Sequence, residues 1–104
     1  MAFKIEISSA AEHDIVEAIE YISKTSATSA RKWFDGLYKI IQSLKRLPVR
    51  HALIQETVQL KRPVRSVLYH SYKIIYEVKK DRKIVYIVRV YHGARRPLIN
   101  SNVD

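Results

Sequence analysis

Cysteine is absent from the chain, which excludes a disulfide framework, a thiolate metal site and a cysteine nucleophile, and fits a reducing compartment. Long apolar runs are absent as well. The N-terminal "MAFKIEISSA" has no apolar core behind a basic start, and nothing elsewhere approaches the roughly 20 residues of a membrane helix. Neither export nor a membrane span is expected, and the cytoplasm is the expected location. Glycine occurs twice and proline three times, so a Gly-rich phosphate loop and a G-x-S-x-G elbow are both missing. His13, His51, His70 and His92 fall in four separate elements, and no His or carboxylate pair stands at metal-ligand spacing. No metal and no cofactor are expected.

What the chain has in excess is positive charge, and it is unevenly placed. Residues 1–60 hold 8 Lys/Arg against 7 Asp/Glu, whereas residues 61–104 hold 11 against 3, a net of +8. Such asymmetry points to an anionic partner, whether nucleic acid, an acidic protein segment or a membrane surface, or else to a solvated basic surface. A length of 104 residues fits one domain with a single modest core. We assign it to residues 1–98, with 99–104 as a C-terminal tail.

"FKIEI" alternates Phe3, Ile5 and Ile7 against Lys4 and Glu6, the period of a half-buried strand. Ser9 followed by Glu12 reads as a capping box, and Ala11, Ile15, Ala18, Ile19 and Ile22 mark the apolar face of a helix near 10–23. Glu12, Asp14, Glu17 and Glu20 mark its expected solvated face. After the small polar link "TSATSA", Trp33, Leu37, Ile40, Ile41, Leu44 and Leu47 define a second helix near 29–47, closed by Pro48. Residues 49–62 read as a loop with room for a short turn. From there three antiparallel strands are expected near 64–69, 72–78 and 84–91, with turns at "HS" and "KKDRK". The predicted fold is α/β (α+β) with element order β-α-α-β-β-β: a helical hairpin covers one face of a small antiparallel-rich sheet and leaves the other available.

Pairing Val78 with Ile84 puts Tyr72, Ile74, Tyr76, Tyr86, Val88 and Val90 under the helices. The other face then carries Lys73, Ile75, Glu77, Val85, Ile87, Arg89 and Tyr91, with Lys73 directly across from Arg89. Like charges so placed repel, which hints at a bound anion, although a register slip of one residue removes the argument. Arg65 on the neighbouring strand and His92, Arg95 and Arg96 beyond the last one complete a cationic set. Such a set binds phosphates, and with His92 and Tyr91 as proton-transfer groups it could cleave RNA without metal. Alternatively, Tyr91 packs, His92 with Gly93 ends the strand, and the tyrosines are core.

Residues 71–97, "SYKIIYEVKKDRKIVYIVRVYHGARRP", resemble the C-terminal half of the RelE/ParE superfamily of toxins from type II toxin–antitoxin modules. The pattern shared is Y-[RK]-I-[IL]-Y-x-V, a turn, then I-x-R-V-x-H-x-[AR]-R. The helical segment from Ala11 through Pro48 resembles the long antiparallel helices of the ParE branch, with Tyr21-Ile22 near the end of the first helix and Leu47-Pro48 closing the second. The resemblance covers about residues 3–98, and "RVYHGARRP" is its most specific part. It implies a small α/β toxin of a plasmid-stabilisation module, neutralised in a hetero-oligomer by an acidic antitoxin that folds over it.

Two activities follow from the resemblance: ParE-like inhibition of DNA gyrase, and RelE-like cleavage of mRNA on the ribosome. Lys73 matches an arginine of the nuclease strand and Arg95 the arginine after the last strand. The nuclease's lysine pair falls at Val64 and Ser66, and its C-terminal tyrosine near Ser101, so those functions have no counterpart. Arg62, Arg65 and His92 are the available substitutes. The reading favoured is ParE-like, with Arg65, Lys73, Arg89, His92, Arg95 and Arg96 as target or antitoxin contacts. The nuclease alternative rests on His92, Lys73, Arg95 and Tyr91, and a third reading is a non-toxic basic nucleic-acid-binding module.

Overall fold

The computed structural model describes residues 2–46, 48–51 and 62–92. Strand β1 (Lys4–Ile7) leads into helices α1 (Ser9–Ser23) and α2 (Ala27–Ser43), a 3-10 turn follows at Pro48–Arg50, and the chain continues into β2 (Arg65–Tyr69), β3 (Tyr72–Lys79) and β4 (Ile84–His92). The strands lie in the order β1-β4-β3-β2, with β1 parallel to β4 and the other two pairings antiparallel. The expected element order and the helical hairpin on one face are therefore both present.

Ser8, rather than Ser9, caps α1. Its backbone is extended (φ −66°, ψ 158°) and its Oγ accepts from the Ala11 N–H at 2.9 Å. The same hydroxyl donates to the Val88 carbonyl at 2.8 Å, which ties the helix start to the centre of β4. Ser26 caps α2 by accepting from the Ser29 N–H. Pro48 does not end α2 directly; the helix closes at Leu44, four residues earlier, and Pro48 opens the 3-10 turn instead. Leu47 lies outside the described residues.

Trp33, Leu37, Ile41 and Leu44 are buried against Tyr72, Ile74 and Tyr76, and Ile40 packs partly against the same cluster, as the spacing in α2 predicts. The strand register differs from expectation. Lys79 pairs with Ile84, Val78 with Val85 and Tyr76 with Ile87, and then Ile75 pairs with Arg89, so that Val88 is an extra residue, a β-bulge. Val85 and Ile87 therefore join Tyr72, Ile74 and Tyr76 under the helices. Tyr86 and Val88 instead belong to a second cluster with Val64, Ile75 and Tyr91. One residue of register exchanges the faces, and the bulge then restores Val90 to the helical side. The face expected to be available carries its own small core, with Val64 and Ile75 fully buried.

The bulge forms where β1 leaves the sheet. The Ser8 N–H donates to the Ile87 carbonyl at 3.0 Å, the last such bond before the chain turns into α1. Beyond it none of the described strands pairs with this edge of β4, and another partner meets its backbone.

Candidate functional site

That other partner is Asp14, one turn and a half into α1. Its Oδ2 accepts from the Val90 N–H at 3.0 Å and from Arg89 Nε at 2.7 Å, and its Oδ1 accepts from Arg89 Nη2 at 2.8 Å. The carboxylate is thus bidentate on the guanidinium and also caps the open strand edge. Asp14 and Arg89 are each 5% exposed. Asp14 is not part of a solvated face. Arg89 does not stand across from Lys73 either; its partner across the strands is Ile75, and Lys73 pairs with Tyr91. The like-charge argument for a bound anion at that position falls with the register.

Arg65 is also committed internally. It pairs with Tyr76, and its neighbours at alternate positions, Val67 and Tyr69, pack on the helical core, so Arg65 shares the helical face. Its Nη1 donates to the His51 carbonyl at 2.7 Å and to the Val49 carbonyl at 3.4 Å, holding the 3-10 turn against β2. Lys73 pairs with Leu68 on the opposite face. The two cations are separated by the sheet.

Around the 3-10 turn the Tyr76 hydroxyl donates to the Pro48 carbonyl at 2.6 Å. Burial pushes its pKa up to about 12 against the opposing pull of Arg65 and Arg50. His51 sits edge-on to the Tyr76 ring, and burial, reinforced by Arg50, lowers its pKa. This corner is a structural joint between α2 and the sheet.

His92, the last described residue of β4, pairs with Tyr72 and lies edge-on to its ring, with centroids 5.3 Å apart. It borders a cleft of about 410 Å³ between α1 and the strand ends, lined also by Asp14, Glu17, Glu20, Lys24, Tyr72 and Tyr91. Tyr91 is 8% exposed and packs in the second cluster with Ile75 and Val88. Lys73 and Tyr91 thus occupy one face, and His92 with Tyr72 the other. Arg95 and Arg96 lie outside the described residues. Among the described residues no group of three or more His, Asp or Glu side chains converges as a metal site, and no helix is long and apolar enough to cross a membrane.

The sequence carried a signal for Asp14 that composition hides. The residue lies three after Ala11 and four before Ala18, both buried, so it stands on the edge of the helix's inner face. An acid at such a position calls for a buried cation, and Arg89 is the one in the last strand.

The description "ParE toxin of type II toxin-antitoxin system, parDE" belongs to the family whose model matches residues 5–97. No curated protein matches the chain. Among solved structures, the chromosomal ParDE toxin–antitoxin system of P. aeruginosa aligns with a TM-score of 0.68 at 14% identity, covering 88% of this chain and 96% of that one. The RelBE2 toxin–antitoxin complex of Mycobacterium tuberculosis aligns at 0.62 with 17% identity, covering 90% and 94%. A doubly substituted RelE toxin of E. coli in the free state aligns at 0.58 with 16% identity, covering 91% and 88%. At these identities the likeness is one of fold.

Proposed function

The chain belongs to the ParE toxin family of type II toxin–antitoxin systems, and from that premise we propose that it inhibits growth by acting on DNA gyrase and is silenced by an acidic antitoxin. The observation that carries the choice of target is that both candidate proton-transfer groups are engaged in packing. Cleaving RNA without metal needs a base and an acid aimed at one phosphate. Here Tyr91 and His92 border one cleft, but Tyr91 is 8% exposed and packs with Ile75 and Val88, and His92 lies edge-on to the Tyr72 ring. A protein that acts by holding its target in a harmful state needs a shaped surface and no such pair.

The antitoxin partner is supported by the formal net charge of +9 and by the solved relatives, which include toxin–antitoxin complexes. The ribosome-dependent nuclease stands as a second reading because Lys73 and Tyr91 are direct neighbours across β3 and β4. One experiment separates the two targets: the purified protein is added to gyrase with supercoiled plasmid, and separately to a translating extract with a reporter mRNA. The expected result is loss of gyrase activity with intact mRNA. Cuts in the mRNA that disappear in His92→Ala, with gyrase unaffected, would overturn the gyrase reading.

A further inference from the structure

Beside the cations spread along the exposed helical surface, a compact group of described cations gathers at one pole of the molecule, the pole remote from His92. Lys4 opens β1 opposite Ile84, and its N–H donates to the Lys83 carbonyl at 2.8 Å. The Phe3 N–H donates to the Lys45 carbonyl at 3.0 Å, which brings the end of α2, with Lys45 and Arg46, to the same corner. Between β3 and β4 the turn adds Lys80, Arg82 and Lys83, all exposed. A groove of about 650 Å³ runs along it, lined by Arg65, Lys79, Lys80 and Arg82 with the carboxylates Glu77 and Asp81. Glu77 is held by Arg62 at 3.6 Å, which leaves Asp81 as the exposed acid of the turn.

Two further observations say that this turn is not built for stability. Lys83 adopts φ 57°, the left-handed region where glycine or asparagine is favoured and a lysine side chain is strained. The turn is closed by bonds from the Arg82 N–H to the Lys79 carbonyl and from the Lys83 N–H to the Lys80 carbonyl, so four cations repel one another within five residues.

We infer that this pole, formed by Lys4, Lys45, Arg46, Lys80, Arg82 and Lys83, binds the phosphate backbone of a nucleic acid. An acidic peptide is a poorer fit, because peptides anchor by burying apolar side chains between their charges. Among the described residues, Val49 is the one exposed large apolar side chain in the segments of this pole. The two rings nearby are covered by its own lysines, Lys83 standing 5.3 Å over Phe3 and Lys79 4.8 Å over Tyr86. Phosphodiester chains need cations and little else. The inference rests on this charge geometry and holds whichever enzyme or ribosome is the target.

The test is fluorescence anisotropy of the full-length protein with a labelled 20-bp DNA duplex and, separately, a 20-nucleotide RNA, between 50 and 200 mM salt. With about five phosphate contacts the affinity should fall about 10²–10³-fold over that range. The variant Lys80→Gln/Arg82→Gln/Lys83→Gln should lower affinity at least tenfold and reduce the fall to about tenfold. Its far-UV circular dichroism and melting should match the parent. Lys24→Gln/Lys32→Gln/Lys39→Gln removes equal charge from the exposed helical surface and should leave affinity within twofold. Tighter binding of either polymer supports the inference and identifies the source of the phosphates. Equal loss in both triple variants, or displacement of the DNA by polyglutamate at equal charge concentration, would overturn it.

Discussion

Replacing Asp14 with alanine removes the carboxylate that is bidentate on Arg89 and that also accepts from Val90. The Arg89 guanidinium, 5% exposed, loses the 2.7 Å ion pair with Asp14, and the Val90 N–H loses that acceptor. Breaking a buried ion pair from one side costs about 3–5 kcal/mol, a large part of the roughly 5–15 kcal/mol that holds a domain of this size. Arg89→Met should cost less, because the remaining carboxylate still accepts from Val90. The double variant Asp14→Leu/Arg89→Met removes both charges and should be more stable than Asp14→Ala, with a residual loss of about 1–3 kcal/mol from the orphaned N–H. Urea unfolding reports this directly through Trp33, the one tryptophan, which packs edge-on to Tyr72. At about 1–1.5 kcal/mol per molar urea, the Asp14→Ala midpoint should fall by about 2 M or more. A loss below about 1 kcal/mol, or a double variant as unstable as the sum of its parts, would show that the pair does not hold α1 to the sheet.

Two further outcomes are expected. Gly36→Ala improves helix propensity by about 1 kcal/mol, yet its Cβ would overlap the Tyr69 phenol that donates to the Trp33 carbonyl at 2.9 Å; the variant should therefore lose thermal stability and recover part of it when Tyr69→Phe removes the hydroxyl. The fold raises the Tyr76 pKa from 10.0 to about 12, so it favours the neutral phenol. That contribution is complete below pH 10 and is lost as pH rises towards 12, an effect of about 2–3 kcal/mol. Stability curves measured from pH 9 to 11.5 should fall more steeply for the parent than for Tyr76→Phe, and parallel curves would refute the assignment.

The helices were legible because periodicity in α2 is long and uninterrupted: Trp33, Leu37, Ile41 and Leu44 all point inward as their spacing requires. The strands were legible as strands, but their faces were not. Tyr, Val and Ile occupy both phases of β3 and β4, since both sheet faces carry apolar clusters, and alternation cannot choose between phases when neither is polar. The bulge at Val88 compounds this, because it depends on where β1 ends and α1 begins, some 80 residues away in sequence. The expected placement of Arg65 and Arg89 on one open face with Lys73 differs from the structure for a related reason. Arg65 and Arg89 look like surface charges in a one-dimensional reading, and only the fold supplies the carbonyls of Val49 and His51 and the carboxylate of Asp14 that engage them.

This internal use of arginine changes what the net charge of the second half means. Arg65 and Arg89 satisfy groups that the fold would otherwise leave unpaired, and Arg62 is paired with Glu77, so these three cations are poor candidates for meeting a partner. The turn lysines and Arg82 have no such structural duty and stand exposed or half-buried at the far end of the sheet. The cleft beside His92 is lined by Glu17, Glu20 and Lys24, and by Asp14, whose charge Arg89 meets, so it carries a small net negative charge while the turn end is cationic. A polyanion approaching from solution is oriented by that dipole before any contact forms, and screening weakens the effect beyond about 8 Å at physiological salt. On the proposed function, orientation by charge and recognition by shape fall to different parts of the chain: a change in the β3–β4 turn should alter association and its salt dependence, whereas a change near His92 should alter what is held once contact is made.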